Sequence, residues 1–466
     1  MKDLGKVFFV GLNNFDDETK MMIEKYMPGG ILLKPGILSD YTLTVAAFKF
    51  LYDTGKFLIS SDHEGGQMET IPYIPSSLGN LSFGFAPSNM IYKYTYMAGS
   101  IMRSIGFNNV FAPVMDVLHE GAAPVVGFRS FGKDPMIVAT HGTQAMKGYM
   151  DSGVLPCLKH FPGHGRAKVD SHEKVPVIDA SYEEVKKTDI YPFAKAIDEG
   201  AEMIMTAHIV VKSIDEVPAS ISKKILKDLL IDNLGFKGIV ISDAVEMKAL
   251  SDNYSVEEIL KMFFEAGGNM ILMGDEKLLP VYYETLEKMI ISGDISKGVI
   301  EDSIEKIDAT IEKYHHSENI GFFADVAKKA LKFKIKSKLP KKVHVILPLP
   351  KNLSPADTSE KYYEKYEAVF KKLFDVVKVT RYGISKGPIV EKSDEFIFDV
   401  VVDAFRSEEA LKNHISLNEK ASGVLYIIIR DPYDENFFKD YNYVVTHSMN
   451  PISLYETLNI FKEVAL

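Results

Sequence analysis

Short apolar runs alternate with longer amphipathic stretches over the first 290 residues or so of the chain. The hydrophobic period changes between the two kinds of segment as a strand–helix repeat requires. Eight strands separated by helices predict a (β/α)8 barrel of the TIM type rather than an open sheet. The predicted strands are Val7–Leu12, Gly30–Leu33, Phe57–Ser61, Val110–Met115, Val154–Leu158, Met203–Thr206, Gly238–Ser242 and Met270–Met273. The predicted helices include Ser88–Ser104, Met136–Met150, Tyr182–Asp198, Ser222–Asn233 and Val256–Ala266.

Polar side chains directly follow five of the predicted strands. In such a barrel the carboxyl ends of the strands form one rim, and active sites are built there. We therefore expect these side chains to point into one mouth, although any one of them also has the ordinary explanation that strands often end on polar residues. They are Asp62, Asp116, the pair Lys159-His160, His208 and Asp243.

A second α/β region follows the barrel. Helical residues from about 297 to 335 complete the first domain, and the basic segment Lys332–Lys342 reads as a connector. The predicted organisation is a barrel domain over residues 1–335, a linker over 336–342 and a smaller C-terminal α/β domain over 343–466. The strands predicted in the second domain are Val343–Leu347, Phe396–Val402, Val424–Ile429 and Tyr443–Thr446.

Composition narrows the class of protein. The chain has 46% hydrophobic and 25% charged residues, which is typical of a soluble globular protein. The net charge of −10 argues against a nucleic-acid partner, and no apolar stretch reaches the ~20 residues that span a membrane. Because the apolar run at Val7–Val10 is too short for a signal peptide, we expect a cytoplasmic protein. The single cysteine, Cys157, excludes an internal disulfide and lies in an apolar run, as expected of a buried, inert thiol.

Asp243 is the candidate nucleophile. It ends a predicted buried strand, so its carboxylate is desolvated on one side and open to the mouth on the other. That environment suits capture of an oxocarbenium-like carbon in glycosyl transfer. A helix N-cap, supplied by Ser242 or Asp243, explains the same residues equally well.

A Pro- and Gly-rich loop carries the candidate acid/base pair. After the Lys159–Gly165 segment, Asp170 and His172 stand two residues apart. Histidine titrates near neutrality, and a neighbouring aspartate would fix its tautomer and stabilise the imidazolium. The two side chains meet only if the backbone turns locally. A solvated polar loop is the alternative.

Two other segments could contact a ligand. The glycines of Asp62-His-Glu-Gly-Gly66 allow close approach of the backbone, although a tight turn after a strand needs them as well. Arg129 could donate to a ligand acceptor or form a surface ion pair.

A metal site is a further alternative for the histidines of this region. His160, His164 and His172, with Asp243, could supply ligands, but Phe161-Pro162-Gly163 prevents the helix that their spacing would need. We expect no metal and no cofactor.

Eight short motifs, in order along residues 1–290, resemble those of glycoside hydrolase family 3, on its β-N-acetylglucosaminidase branch. Any one of them is weak, whereas eight in the correct order are specific. They are Asp62-His-Glu-Gly-Gly66, Phe111-Ala-Pro-Val-Met-Asp116, Arg129-Ser-Phe-Gly132, Lys159-His-Phe-Pro-Gly-His-Gly165, Asp170-Ser-His172, Met205-Thr-Ala-His208, Pro218-Ala-Ser220 and Ser242-Asp-Ala244.

The resemblance implies a TIM barrel and a retaining, two-step hydrolysis. By position, Asp243 would be the nucleophile that forms a covalent glycosyl-enzyme, and His172 would be the acid/base with Asp170 as its partner. The implied activity is removal of terminal N-acetylglucosamine, from cell-wall (peptidoglycan) or chitin-derived fragments, without a metal. The C-terminal region resembles the α/β domain of two-domain members of the family.

The resemblance also assigns the sugar-binding residues. Asp62, Arg129, Lys159 and His160 match positions that hold the non-reducing sugar, and we group the rim residue His208 with them as a candidate substrate-binding residue. The expected partner is a small oligosaccharide or glycoside. The sequence gives no indication of the oligomeric state.

The chain departs from the family pattern at three places. Thr70 stands where the branch has an arginine, Arg166-Ala167 replaces an Asp-Thr pair, and Asn269 stands where Asp is common. These departures bear on substrate preference and rate more than on fold. The alternatives are therefore a β-glucosidase or β-xylosidase on the same barrel, a catalytically weakened sugar-binding homologue, and a metal-dependent hydrolase.

Overall fold

The computed structural model describes residues 3–123, 126–168, 175–315, 329–335, 339–350, 360–430 and 432–465. The chain divides into two compact units, Met1–Ile320 and Gly321–Leu466. Within the described residues, no helix is both long enough and apolar enough to cross a bilayer.

Eight short parallel strands close into a ring in the first unit. The strands are β1 Phe8–Leu12, β2 Gly30–Leu33, β3 Leu58–Ser60, β4 Asn109–Val110, β5 Leu158–Phe161, β6 Met203–Thr206, β7 Ile239–Ser242 and β8 Ile271–Met273. Parallel pairing joins β1 to β2 and β8, β2 to β3, and β6 to β7, and it joins β5 to β6 with a shift in register. The N–H of Asn108 donates to Ile59 at 3.3 Å between β3 and β4, and the N–H of Ser242 donates to Met270 at 3.0 Å between β7 and β8. A short strand, Leu155–Pro156, pairs with β4 just before β5. The predicted (β/α)8 barrel is thus confirmed.

Helices and short hairpins fill the connections between these strands. The helices with eight or more residues are Asp17–Tyr26, Tyr41–Thr54, Asn89–Ile105, Pro135–Asp151, Tyr191–Asp198, Lys224–Asn233 (a π-helix), Val256–Glu265, Leu279–Ser292 and Lys297–Tyr314. The shorter helices are Pro35–Leu38, Asn80–Phe83, Tyr182–Thr188 and Lys248–Ser251. Four two- or three-residue strands, His63–Gly65, Met68–Glu69, Val177–Ile178 and Val210–Val211, lie in the loops.

The predicted helix Tyr182–Asp198 is two helices. The first ends at Thr188, and the second begins at Tyr191 with Pro192 in its first turn. Proline has no N–H for the carbonyl four residues earlier, which is that of Thr188, and its ring crowds that position. A proline in the first turn of a helix, by contrast, costs little.

The barrel strands are buried along their whole length. Every residue of β1, β2 and β7 is buried, as expected where helices cover one face of a parallel sheet and packed side chains fill the other. Cys157 lies inside this core, and burial raises the pKa of its thiol, so it stays protonated.

The second unit is built on a six-stranded sheet. The strands are β9 Lys332–Lys334, β10 Lys342–Pro348, β11 Asp375–Tyr382, β12 Phe396–Val401, β13 Gly423–Ile428 and β14 Asn442–Val445. Their order in the sheet is β9-β14-β13-β12-β10-β11, with only β9 antiparallel to its neighbour. The predicted α/β class of this domain is confirmed. The helices are Glu360–Leu373, Glu408–Ser416, Glu435–Phe438 and Pro451–Ala465.

Two of these strands were not predicted. β9 lies in the segment read as a connector and pairs with β14, so it belongs to the second sheet rather than to the end of the barrel domain. β11 is an edge strand that leaves most of its residues at least partly exposed. Edge strands tolerate charged residues, and this weakens the hydrophobic pattern that predicts a strand.

Candidate active site

A cavity of about 660 Å³ opens at the carboxyl ends of the barrel strands. The strand ends bring residues that are far apart in sequence to one rim, as the barrel topology requires. Five of the residues predicted for the site line this cavity: Asp62, Arg129, Lys159, His160 and Asp243.

Lys159 and Arg129 are held by two carboxylates, those of the buried Glu64 and the partly exposed Asp62. The Lys159 Nζ lies 2.9 Å from Asp62 Oδ1 and 2.6 Å from Glu64 Oε1. Arg129 donates to both oxygens of Glu64, each at 2.8 Å. Although burial raises the pKa of Glu64, the two cations hold it well below its usual range. Burial lowers the pKa of Lys159, but Asp62 and Glu64 outweigh this effect, so the ammonium stays charged.

Asp116 organises the loop that follows β5. Its carboxylate accepts hydrogen bonds from His160 Nδ1 at 2.7 Å and from the backbone N–H of His164 at 2.7 Å. Burial raises the pKa of Asp116, yet His160 and His164 keep it below its ordinary value. With Nδ1 bonded to Asp116, the Nε2 of His160 lies 3.4 Å from the Arg129 guanidinium, on the cavity side.

Asp243 follows β7 directly and lines the cavity. Its Oδ1 accepts the backbone N–H of Ala244 at 2.8 Å. The helix N-cap considered as an alternative for Ser242 or Asp243 is wrong, because the next helix begins at Lys248 and its N-cap residue is Met247. Burial raises the pKa of Asp243, but His160, His208 and Lys159 together hold it below the ordinary value for an aspartate. The group is therefore an ionised carboxylate facing the cavity at neutral pH.

His208 lies behind the site rather than in it. Its Nε2 donates to the carbonyl of Ala244 at 3.0 Å, and its Nδ1 lies 2.7 Å from the hydroxyl of Ser220. The side chain is fully buried and does not line the cavity. The structure therefore places this residue, grouped by sequence with the sugar-binding residues, where it supports the backbone next to Asp243.

The three departures from the family pattern have local structural roles. Thr70 donates to the carbonyl of Asp62 at 2.9 Å and does not line the cavity. Arg166 Nε donates to the buried Asp189 at 2.6 Å. Asn269 accepts the N–H of Val240 at 2.9 Å, behind the sheet.

The predicted acid/base pair, Asp170 and His172, lies outside the described residues. The segment that leads to it is anchored, because Arg166 is bonded to Asp189 and Ala167 donates its N–H to the carbonyl of His164 at 3.0 Å.

Sequence reasoning missed several residues that build the site. Glu64 lies inside a recognised motif, but the sequence does not show that its carboxylate joins Lys159 to Arg129. Lys34, Gln67 and Glu246 line the cavity from loops that carry no motif. Only the rule that polar residues after barrel strands face the rim could have pointed to Lys34, which directly follows β2.

No three His, Cys, Asp or Glu side chains converge as a metal site within the described part of the chain. The ligand set considered from sequence included His172, which lies outside that part. His160 Nδ1 and the Asp116 carboxylate are bonded to each other. The described residues do not fit a metal, so we derive no step through one.

Two family models match the chain. Residues 1–310 match the N-terminal domain of glycosyl hydrolase family 3, and residues 341–461 match the C-terminal domain of β-N-acetylglucosaminidase. The family resemblance drawn from the eight motifs is thereby confirmed.

Solved structures resemble the chain over nearly its whole length. The β-N-acetylglucosaminidase from Thermotoga maritima is 44% identical, with a TM-score of 0.90 over 98% of this chain and 99% of that one. Zinc-bound CbsA from Thermotoga neapolitana is 42% identical, with a TM-score of 0.91 over the full length of both chains. A curated relative, β-hexosaminidase A from Pseudoalteromonas piscicida, is 29% identical over 62% of this chain and 54% of its own length. The chain therefore spans about half of that relative.

Proposed function

Because this chain belongs to glycosyl hydrolase family 3, we propose that it is a retaining exo-β-N-acetylglucosaminidase that removes terminal N-acetylglucosamine from β-linked glycosides. The observation that carries the proposal is that Asp243 lines the same cavity as Asp62, Arg129, Lys159 and His160. A carboxylate from far along the chain thus lines one pocket with charged side chains from other strand ends, and the pocket volume of about 660 Å³ admits a sugar ring.

In the first step Asp243 attacks the anomeric carbon of the terminal sugar. Its lowered pKa keeps it ionised, as a nucleophile must be. Oδ1 is bonded to the Ala244 N–H, so we assign the attack to Oδ2. His172 gives a proton to the leaving oxygen as the glycosidic bond breaks.

In the second step a water molecule breaks the covalent bond. Neutral His172 takes a proton from that water as the oxygen attacks the anomeric carbon, and the Asp243 carboxylate leaves. Two displacements at the same carbon return the sugar with its original anomeric configuration. The role of Asp170 is to fix the histidine tautomer and to stabilise the imidazolium.

The ion pairs that Lys159 and Arg129 form with carboxylates suit the pocket to binding the hydroxyl groups of a sugar. Asp62, Arg129 and Lys159 are fixed by each other and by Glu64, so their remaining donors and acceptors are oriented before the sugar binds. Preorganised groups lose little freedom on binding. Fragments of peptidoglycan or chitin, which carry terminal N-acetylglucosamine, are the substrates we propose.

Covalent trapping tests this proposal directly. The protein is incubated with an activated 5-fluoro analogue of an N-acetylglucosaminide, and the digested protein is analysed by mass spectrometry. We expect one glycosyl label on the peptide that contains Asp243. A label elsewhere, or inversion of configuration in product NMR, contradicts the mechanism. A panel of nitrophenyl β-glycosides tests specificity, because faster cleavage of the glucoside or xyloside than of the N-acetylglucosaminide contradicts the substrate.

A further inference from the structure

We propose that Asp189 is a positioning residue of the reaction. Through Arg166 it fixes residues 163–167, the linking segment, which joins the wall of the active-site cavity to the part of the chain that carries His172. This inference rests on the proposed function. Asp189 is fully buried and does not line the cavity, so it acts through other residues rather than on the sugar.

Three side chains converge on the carboxylate of Asp189. Arg166 Nε donates to its Oδ2 at 2.6 Å, and the hydroxyl of Thr188 lies 2.6 Å from the same oxygen. The other oxygen, Oδ1, lies 3.0 Å from His119 Nε2. The guanidinium also donates through Nη2 to the Thr188 hydroxyl at 2.8 Å. Both carboxylate oxygens thus have partners within the protein, as the burial of a polar group requires.

The break between two helices places Asp189 against the linking segment. The helix Tyr182–Thr188 ends directly before Asp189, whose N–H donates to the carbonyl of Val185 at 2.9 Å. Gly163 has a φ of 126°, and a Cβ on it would lie 2.7 Å from the Cβ of Asp189. The two backbones are therefore too close for a side chain to lie between them.

The loop after β4 holds the linking segment from another side. The N–H of Ala123 donates to the carbonyl of Ala167 at 2.7 Å, and the N–H of His119 donates to the carbonyl of Gly165 at 3.3 Å. A Cβ on Gly165 would lie 1.8 Å from a backbone carbonyl oxygen of this loop. Since the ring of His119 also contacts Asp189, the loop and the carboxylate form one support.

The linking segment has its other end in the active site. His164 lines the cavity, and its N–H donates to the Asp116 carboxylate at 2.7 Å. The same carboxylate accepts from Nδ1 of the cavity-lining His160 at 2.7 Å. In the sequence, His172 follows Ala167 by five residues, so its backbone lies within about 17 Å of this support.

The charge at position 166 is particular to this chain. The family pattern has an aspartate at this position. A carboxylate there would lie beside that of Asp189, and two like charges disfavour each other. The arginine instead makes an ion pair with Asp189 and secures the linking segment. Since misplacing a catalytic group by about 1 Å can cost about 10²-fold in rate, we expect this support to affect proton transfer by His172.

Three variants and one matched control test the role. Arg166→Ala removes the ion pair, and Arg166→Asp restores the family residue but brings a second carboxylate to Asp189. Thr188→Val is milder, because it removes only a hydroxyl from the network. The control is Lys224→Ala. Lys224 contacts Asp215 at 3.2 Å, and that carboxylate also accepts a serine hydroxyl at 2.7 Å, so the control breaks a similar network elsewhere.

The measured quantity is kcat/KM on two substrates. Methyl N-acetyl-β-glucosaminide has a leaving group that needs a proton, whereas the dinitrophenyl glycoside has one that needs none. We expect Arg166→Ala to lower kcat/KM on the methyl glycoside about 10- to 100-fold and to leave that on the dinitrophenyl glycoside nearly unchanged. Arg166→Asp should lose at least as much, Thr188→Val should show a smaller shift in the same direction, and the control should change neither value.

Circular dichroism shows that each variant is folded before its kinetics are compared. Equal losses on the two substrates, or no loss in any of the three variants, contradict the positioning role while the proposed function stands. His172→Ala is measured alongside. If it loses equally on both substrates, or if the wild type cleaves no N-acetylglucosaminide, the proposed function fails in its mechanism or in its substrate, and this inference fails with it.

Discussion

Lys159 Nζ lies 2.6 Å from Glu64 Oε1, and both side chains are buried. Glu64 does not itself line the cavity, whereas Lys159 and Arg129, its two cationic partners, do. The residue that holds these two cavity-lining cations is thus itself outside the cavity lining.

Glu64→Gln leaves two buried cations with one remaining carboxylate, that of Asp62. Removing one partner from a buried ion pair costs about 3–5 kcal/mol, so we expect the free energy of unfolding to fall by that amount. Urea unfolding followed by circular dichroism measures it. The control is Glu199→Gln, which breaks a surface pair with Lys147 and should cost less than about 1 kcal/mol. Equal losses in the two variants contradict the role given to Glu64.

Asp243→Asn should lower kcat on nitrophenyl N-acetyl-β-glucosaminide by about 10³-fold or more, because an amide cannot form the covalent intermediate. The matched control is Asp275→Asn. Asp275 follows β8 on the same rim, but its carboxylate caps the N–H of Lys277 at 3.0 Å and does not line the cavity. Turnover by Asp243→Asn at the rate of the control variant contradicts the mechanism.

His172→Ala should lose about 10²- to 10⁴-fold in rate on substrates with poor leaving groups, which is the usual contribution of a general acid. A dinitrophenyl aglycone leaves without protonation, so bond cleavage should then be nearly normal and hydrolysis of the intermediate should limit the rate. Burst kinetics with that substrate would reveal the accumulated intermediate. A loss that is the same for good and poor leaving groups contradicts the assignment of the proton to His172.

The barrel could be predicted from the sequence because its strands are buried on both faces. Short, mostly apolar runs such as Gly30–Leu33 and Met203–Thr206 predict buried strands from a few neighbouring residues alone. β11 gives no such signal, since its exposed edge position admits Lys378 and Arg381. Whether a segment lies at the edge of a sheet is decided by the tertiary fold, which a local window does not contain.

The rule that polar residues after barrel strands face one rim was right for three of its five groups and wrong for Asp116 and His208, which are buried and do not line the cavity. Asp62 and Asp243 end strands and do line the cavity, as that rule predicts. His208 also ends a strand, yet it turns toward the Ala244 carbonyl. Glu64 and Lys159 are 95 positions apart in the sequence, so their pairing is visible only in three dimensions. A strand end fixes where a residue lies, whereas side-chain packing fixes what it contacts.

Activity should survive removal of metal ions. The described residues bring no three metal-binding side chains together, and the steps assigned to Asp243 and His172 use only protons and a carboxylate. We expect the same rate on the nitrophenyl substrate before and after dialysis against EDTA, with metal content followed by elemental analysis. Loss of activity that added zinc restores would favour the metal-dependent alternative.

His63 should make the barrel less stable as the pH falls from 6.5 to about 4. The side chain is fully buried, and burial lowers its pKa to about 4, against the opposing effect of Glu69 and Glu64. In this range the unfolded chain binds a proton that the folded chain does not, so acidification favours unfolding. Between pH 7.5 and 5 we expect this residue to remove about 2 kcal/mol from the free energy of unfolding.

His63→Gln, which keeps an acceptor for the Ile71 N–H, should lose that part of the pH dependence. Urea unfolding at the two pH values measures the difference. It is followed by circular dichroism because the chain has no tryptophan. The same pH dependence in the wild type and the variant would show that His63 is protonated in the folded state.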